Sequence, residues 1–289
     1  PGADPKKIEK SKTLGADAIV LDLEDGVSVH KKDEARDLVT SVLMQQQEGT
    51  SASSFGQSEV CARINGLNDG DLAIQDLQSL LPCPMLQTIV IPKVESENDI
   101  KFVSEMIDSF CDDDNPRDIR ILAAIESAMG LLNLREIASC SSDRLDGLIF
   151  ASEDYCADLE CIRTTDATEL LFARSQIVTV AKAYDLQAID MVHINFRDLD
   201  ELAVECRQGR EIGFTGKQAI HPNQIEIIQS SFSPAEKDVA FASQVVASYE
   251  KAISVDGKGA CVVEGIVVDM PVYKWARKIL KRAEAANMI

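Results

Sequence analysis

Three acidic tripeptides each close an apolar run in this chain. They are Leu23-Glu24-Asp25, Ile125-Glu126-Ser127 and Ser152-Glu153-Asp154. Carboxylate oxygens are hard donors, and several of them brought to one mouth suit a hard cation such as Mg²⁺. Two further apolar runs end at basic residues, one in Arg63-Ile64-Asn65-Gly66 and one in Pro92-Lys93-Val94-Glu95. The plainer reading of any one acid is that helix N-termini favour negative charge, which needs no ligand at all.

The runs in front of these residues are short, rich in Ile, Leu and Val, and bounded by polar residues, as buried parallel strands are. Strands are expected to begin near residues 18, 60, 88, 119, 148, 187 and 217. Helical patterns lie between them, among them residues 31–46, 168–184 and 198–212. An eighth strand immediately before Pro1 would complete a (β/α)₈ TIM barrel, in which chemistry collects where strands end. A doubly wound open sheet is the competing architecture, but no GxGxxG or GxxxxGK[ST] is present to favour it. From Ser233 onward the pattern changes to a helix over 234–253, a Gly-containing turn over 255–260, an extended segment over 261–268 and a helix from Pro271. The expected domains are a catalytic barrel over 1–232 and a C-terminal helical extension over 233–289. Residues 45–58 read as a polar surface loop, and Asp112-Asp113-Asp114 as a solvated one.

Among 289 residues, 45% are hydrophobic and only 5% aromatic, which fits an aliphatic α/β core. A net charge of −19 argues against nucleic acid or an anionic membrane as a partner. No apolar stretch is long enough to span a bilayer. The eight cysteines form no CxxC pair and only three histidines accompany them, so neither a zinc site nor a disulfide framework is expected. Cys156, beside the Glu153-Asp154 turn, reads as a packing residue. His221, followed by proline, reads as a loop-fixing residue, while His30 and His193 carry no motif. The first residues, Pro1-Gly2-Ala3-Asp4-Pro5, read as a loop leading into a helix near Pro5, with no targeting segment.

The stretches LDLEDGV, ARIN, PKVE, IESAMG, ASEDY, GKQAIHP and VDMP, in this order over nearly the whole chain, resemble the citrate lyase β-subunit-like enzymes of the HpcH/HpaI aldolase superfamily. Two departures stand out: the strand that precedes Pro1-Gly2 in the family, with its substrate-binding tyrosine, has no counterpart, and neither has the 45–58 loop. The resemblance implies a (β/α)₈ barrel, Mg²⁺, a CoA-thioester substrate, a mitochondrial location and a homotrimer whose C-terminal segments cover neighbouring active sites. By position it implies Glu126 and Asp154 as metal ligands, Arg63 as a substrate-binding and catalytic arginine, Lys6 as a lysine near the CoA, and Asp269 as a catalytic acid. Glu24 and Asp25 are expected to orient Arg63 or metal-bound waters from behind.

The activity so implied is carbon–carbon cleavage of citramalyl-CoA to acetyl-CoA and pyruvate, a retro-Claisen step. A metal polarises the keto-acid end, an arginine fork stabilises the enolate oxygen, and a carboxylic acid protonates the enolate carbon. The CoA phosphates need basic contacts at the rim, for which Lys6 and Lys93 are candidates. Cleavage of malyl-CoA, or a malate synthase-like condensation with glyoxylate, differs by one methyl group in the keto-acid pocket, worth about 1–3 kcal/mol. A non-catalytic binding or scaffold protein on the same fold is the rival of another class. The residues also admit plainer roles: Arg63 in a structural pair with Glu24 or Asp25, Lys93 paired with Glu95, Glu153 capping a turn, and Asp269 capping the helix from Pro271.

Overall fold

Seven apolar runs become the seven strands of one parallel sheet, hydrogen-bonded in the order of the chain. The computed structural model describes residues 1–45, 54–111, 117–254, 259–286 and 288–289. Most of the 45–58 loop, the run Asp112-Asp113-Asp114 and most of the 255–260 turn therefore lie outside the described residues. In chain order the first elements are α1 (Pro5–Ser11), β1 (Ala18–Asp22), α2 (Lys32–Met44), β2 (Glu59–Arg63), α3 (Leu72–Leu80), β3 (Thr88–Ile91) and α4 (Glu97–Phe110). There follow β4 (Arg120–Ile125), α5 (Ala128–Leu132), α6 (Leu134–Ala138), β5 (Leu145–Phe150), α7 (Ser152–Asp158), α8 (Leu171–Ala183) and β6 (Gln187–Asp190). The last are α9 (Leu199–Ile212), β7 (Gly216–Lys217), α10 (Ile225–Phe232), α11 (Glu236–Ser254), β8 (Cys261–Val263), β9 (Ile266–Val268) and α12 (Met270–Ala285).

A doubly wound sheet reverses its strand order at a switch point, whereas this one never does. Along each strand, successive side chains alternate between two faces. On one face Cys61, Val90, Ala124 and Ile149, one from each of β2 to β5, make a single cluster backed by Leu122 and Ile189. Because all seven strands run the same way, their carboxyl ends share one edge, and that edge carries the acidic and basic residues singled out above. The strand expected over 217–220 is shorter than its apolar run. Beyond Lys217 the N–H groups of Ile220 and His221 turn to the Gln224 side chain, at 2.9 and 3.2 Å, instead of to a strand.

The chain divides into two compact units, Pro1–Ile228 and Gln229–Ile289. Within the second, α11 and α12 pack together with the antiparallel hairpin β8–β9, burying Val245, Tyr249, Val268, Ala276 and Ala283. Tyr249 stacks on Tyr273 with ring centroids 4.8 Å apart. The segment expected to be simply extended over 261–268 is this hairpin, turned at Glu264-Gly265, where Gly265 takes φ 81°.

Candidate active site

Asp22 and Arg63 are register partners at the ends of β1 and β2. The guanidinium grips the carboxylate through both sides of its fork, Nε to Oδ1 at 2.7 Å and Nη2 to Oδ2 at 2.8 Å. Asp22 also accepts from the backbone N–H groups of Glu24 (2.9 Å) and Gly26 (2.8 Å). A Cβ on Gly26 would stand 2.4 Å from Asp22 Oδ2, so only glycine lets the turn close on this carboxylate. With four donors committed to it, Asp22 anchors Arg63 and is not itself offered to a ligand. Burial alone would raise the Asp22 carboxyl, but the Arg63 guanidinium outweighs it and holds the group below the usual carboxylate range.

The third member is Glu24, 2% exposed, with Arg63 Nη1 2.9 Å from its Oε2 and Lys93 Nζ 2.8 Å from its Oε1. Arg63 has five N–H donors in all. Asp22 takes two, through Nε and Nη2, while Nη1 stands in an ion pair with Glu24, which leaves N–H groups on the terminal nitrogens for a ligand. Burial tends to lower the Arg63 pKa, yet hydrogen bonding and attraction to Asp22 and Glu24 raise it further, so its charge is permanent. The plainer expectation for Arg63, a pair with Glu24, is thus met in the geometry, alongside a stronger pair with Asp22 that the sequence did not reveal. Asp25 is exposed and touches the group only through its charge on Glu24, Arg63 and Lys93. Lys93 pairs with Glu24 and not with Glu95, a correction to the plainer expectation. Glu95 is drawn away by the Ser127 hydroxyl at 2.6 Å. Lys93 itself adopts φ 53°, a left-handed backbone that a lysine rarely takes.

Glu126 follows β4 and is 3% exposed, with neither carboxylate oxygen hydrogen-bonded among the described residues. Burial first, then the nearby charges of Glu24 and Asp154, push its carboxyl up to about 8, while Arg63 only partly offsets them. Its loop is held by Ser127, the N-cap of α5, whose oxygen accepts from Gly130 N–H at 3.1 Å. A Cβ at Gly130 would lie 2.5 Å from the Val94 carbonyl, so glycine here lets the loops after β3 and β4 dock and brings Lys93 and Glu126 together. Asp154 sits exposed in the first turn of α7, after β5. Behind β2, Asn65 is tied through its N–H (2.9 Å) and side-chain amide (2.6 Å) to the buried Asp76 of α3.

Among the described residues no group of three or more His, Cys, Asp or Glu side chains could hold a metal by itself. Glu126 and Asp154 nevertheless fit Mg²⁺. Two buried oxygens without donors, close enough to a second carboxylate to feel its charge, mark a place short of positive charge. Mg²⁺ commonly takes one or two carboxylates and keeps waters or substrate oxygens in its other positions.

Lys6 lies apart from this cluster, on α1. With Pro1, Ala3, Asp4, Pro5, Lys7, Gly26 and Lys31 it lines a shallow depression of about 390 Å³. Asp4 turns inward to cap α1, accepting from Lys6 and Lys7 N–H at 3.1 Å each. Asp269 belongs to the second unit. It is the N-cap of α12, exposed, with Oδ1 accepting from Val272 N–H at 3.3 Å.

A largely buried polar cluster that no motif announces joins the loops after α7 and β6 to α9 and β7. Glu205 Oε2 is 2.8 Å from Lys217 Nζ and 3.3 Å from His193 Nδ1, and Oε1 is 3.1 Å from Arg163 Nη2. Arg163 also approaches Glu153 at 3.6 Å, next in sequence to Asp154. Its four members are spread from residue 163 to residue 217, so no local spacing announces it.

Comparison with known proteins places the chain among relatives of known kind. The chain is 36% identical over 292 residues to the mitochondrial citramalyl-CoA lyase of Homo sapiens, covering 98% of this chain and 83% of that protein. It is 34% identical to the citrate lyase subunit beta of Leuconostoc mesenteroides subsp. cremoris, covering 100% and 93%. The solved structure of CitE from Mycobacterium tuberculosis in complex with magnesium, acetoacetate and coenzyme A superimposes with a TM-score of 0.73 at 28% identity, covering 98% of this chain and 96% of that one. The family described as HpcH/HpaI aldolase/citrate lyase matches residues 1–222. By the extent of that match and of these identities, the chain belongs to the HpcH/HpaI aldolase/citrate lyase family.

Proposed function

We propose that this protein is a Mg²⁺-dependent carbon–carbon lyase that cleaves citramalyl-CoA to acetyl-CoA and pyruvate. The observation that carries the reading is Arg63, gripped by Asp22 and paired with Glu24 with N–H groups to spare, near Glu126, whose oxygens accept no hydrogen bond among the described residues. The names of the relatives, citramalyl-CoA lyase among them, support the substrate class. The seven strands are taken as part of a (β/α)₈ barrel, a reading supported by their unbroken chain order. Residues 1–232 form the catalytic domain in this reading and 233–289 an extension that covers a neighbouring site in a homotrimer. A mitochondrial location follows the relatives.

Glu126 and Asp154 would hold the metal, which when bound supplies Lewis-acid polarisation of the keto-acid end. Arg63 holds the thioester oxygen, and its remaining N–H groups meet the negative charge that develops there as the bond to the hydroxyl-bearing carbon breaks. Asp22 and Glu24 keep that fork from rotating, so no reorganisation is needed at the moment of reaction. Asp269 delivers a proton to the enolate carbon, and the same carboxylate takes it back in the condensation direction. Lys6, with Lys7 and Lys31 around the same depression, meets the phosphates of CoA. Lys93 is held to Glu24 and tunes the charge of the cluster.

Cleavage of citramalyl-CoA, malyl-CoA and citryl-CoA, measured side by side with and without Mg²⁺, tests the reading. The expected result is Mg²⁺-dependent cleavage with the highest kcat/KM for citramalyl-CoA. A higher kcat/KM for malyl-CoA would move the assignment to the glyoxylate reaction. Cleavage of none of the three by folded protein would leave a binding or scaffold role.

A further inference from the structure

Helix α7 ends in a way that places two cysteines side by side. The Cys161 N–H donates to the Cys156 carbonyl at 3.1 Å and the Glu160 N–H to the Ala157 carbonyl at 3.2 Å, while Glu160 takes φ 53°. These crossed bonds around one left-handed residue are a Schellman motif, which brings together the side chains three residues before and two residues after the helix's last half-turn position. An apolar pair usually occupies those positions, but here they hold Cys156 and Cys161. Both are free thiols. Cys156 is 6% exposed and Cys161 only half-buried, so a reagent meets Cys161 first.

We propose that Cys156 and Cys161 form a dithiol–disulfide modification site, oxidised by a small disulfide of the glutathione type. The Cys161 thiolate attacks one sulfur of the oxidant and releases one equivalent of the small thiol. Cys156 then gives up its proton, attacks the Cys161 sulfur of the mixed disulfide and releases the second equivalent. Two protein thiols are oxidised to one disulfide, and one small disulfide is reduced to two thiols. The motif brings the two side chains to one side of the helix end with α7 intact, the approach from which a disulfide can close. The site is independent of which thioester the enzyme cleaves, although α7 also presents Asp154.

The tryptic peptide spanning 145–163 contains both residues and no other cysteine, with Arg144 before it and Arg163 at its end. The full chain is treated with increasing oxidised glutathione until Cys261, also half-buried, is modified, then alkylated and digested without reductant. The expected wild-type peptide is lighter by two hydrogens and resists alkylation, whereas Cys156→Ser retains glutathione on Cys161. Glutathione occupancy on the wild-type peptide should be about tenfold lower than on Cys156→Ser, because the second thiol acts at a high effective concentration. Equal occupancy in the two proteins, or a wild-type peptide alkylated twice, overturns the proposal. A trivalent arsenical gives an arm that needs no variant: one arsenic bridging both thiols of the wild-type peptide is expected, and failure to bridge them overturns the proposal as well.

Discussion

Arg63 and Asp22 face each other across two adjacent parallel strands in exact register, joined by two hydrogen bonds of 2.7 and 2.8 Å. Removing the anchor should therefore harm the arginine without touching it. Asp22→Asn keeps the size but loses the charge and one acceptor, and turnover should fall about 100-fold, the usual scale for a reacting group misplaced by an ångström. Arg63→Lys should fall similarly, since a point charge cannot grip both Asp22 oxygens and still reach substrate. Kinetics of the two single variants and the double variant check this. The pair acts as a unit if the double variant is hardly worse than either single one. Fully additive losses would show that Asp22 does not act through Arg63.

Glu126 should cost the metal-free protein stability. Glu126→Gln removes a carboxylate whose burial and acidic neighbours oppose its charge. Without metal the variant should be more stable by about 1–3 kcal/mol at neutral pH, and it should lack the rise in Tm with Mg²⁺ that is expected of the wild type. Calorimetry with and without Mg²⁺ reads both effects. A variant that is less stable and still stabilised by Mg²⁺ would remove Glu126 from the metal site.

The acid side of the stability curve should depend on Glu205. Burial would raise its pKa, but Lys217, His193 and Arg163 more than compensate and hold it below the usual value. A depressed carboxylate contributes stability that is fully present above its unfolded pKa, about 4.3, and is lost as pH falls through the folded value. Glu205→Gln should therefore cost about 3–5 kcal/mol at pH 7, where it strands a buried lysine, and progressively less below about pH 4. Urea unfolding of both proteins at pH 7, 5 and 3.5 gives the comparison. A cost that does not shrink with acid would mean that Glu205 contributes through packing and not through its charge.

Asp269 is proposed to complete the site of an adjacent subunit, since it lies in the second compact unit and outside the strand–helix repeat. Head-to-tail contacts that close into a ring make such sharing possible. Asp269→Ala and Arg63→Ala proteins, each inactive alone, should regain activity when mixed and allowed to exchange subunits. No recovery despite demonstrated exchange would place Asp269 in its own chain's site or confine it to capping α12.

Much of this architecture is legible in the sequence because buried parallel strands advertise themselves. The runs expected near 18, 60, 88, 119 and 187 begin within a residue of β1, β2, β3, β4 and β6. β5 begins at Leu145, before the expected 148, because Leu145 pairs with Ile121 ahead of a register shift. Glu126, Asp154 and Arg63 stand out for the same reason, as polar residues that stop an apolar run. Asp22 did not, because it reads as the last residue of its own strand, and its role exists only through a register partner 41 residues away. His193 carried no motif because its acidic partners, Glu201 and Glu205, lie on α9, outside its own strand and loop. A side chain whose meaning comes from a neighbouring strand leaves no trace in spacing along its own.

The left-handed backbone of Lys93 has a consequence for anyone who would make this protein tougher. A non-glycine residue at φ 53° carries roughly 1–2 kcal/mol of strain that glycine would relieve. Yet glycine has no ammonium group to set against Glu24, and Glu24 is one of the two carboxylates that keep Arg63 from turning. A search guided only by melting temperature would be drawn to this position, and a search guided by turnover would leave it alone. Heat resistance and catalysis compete here at a single peptide unit.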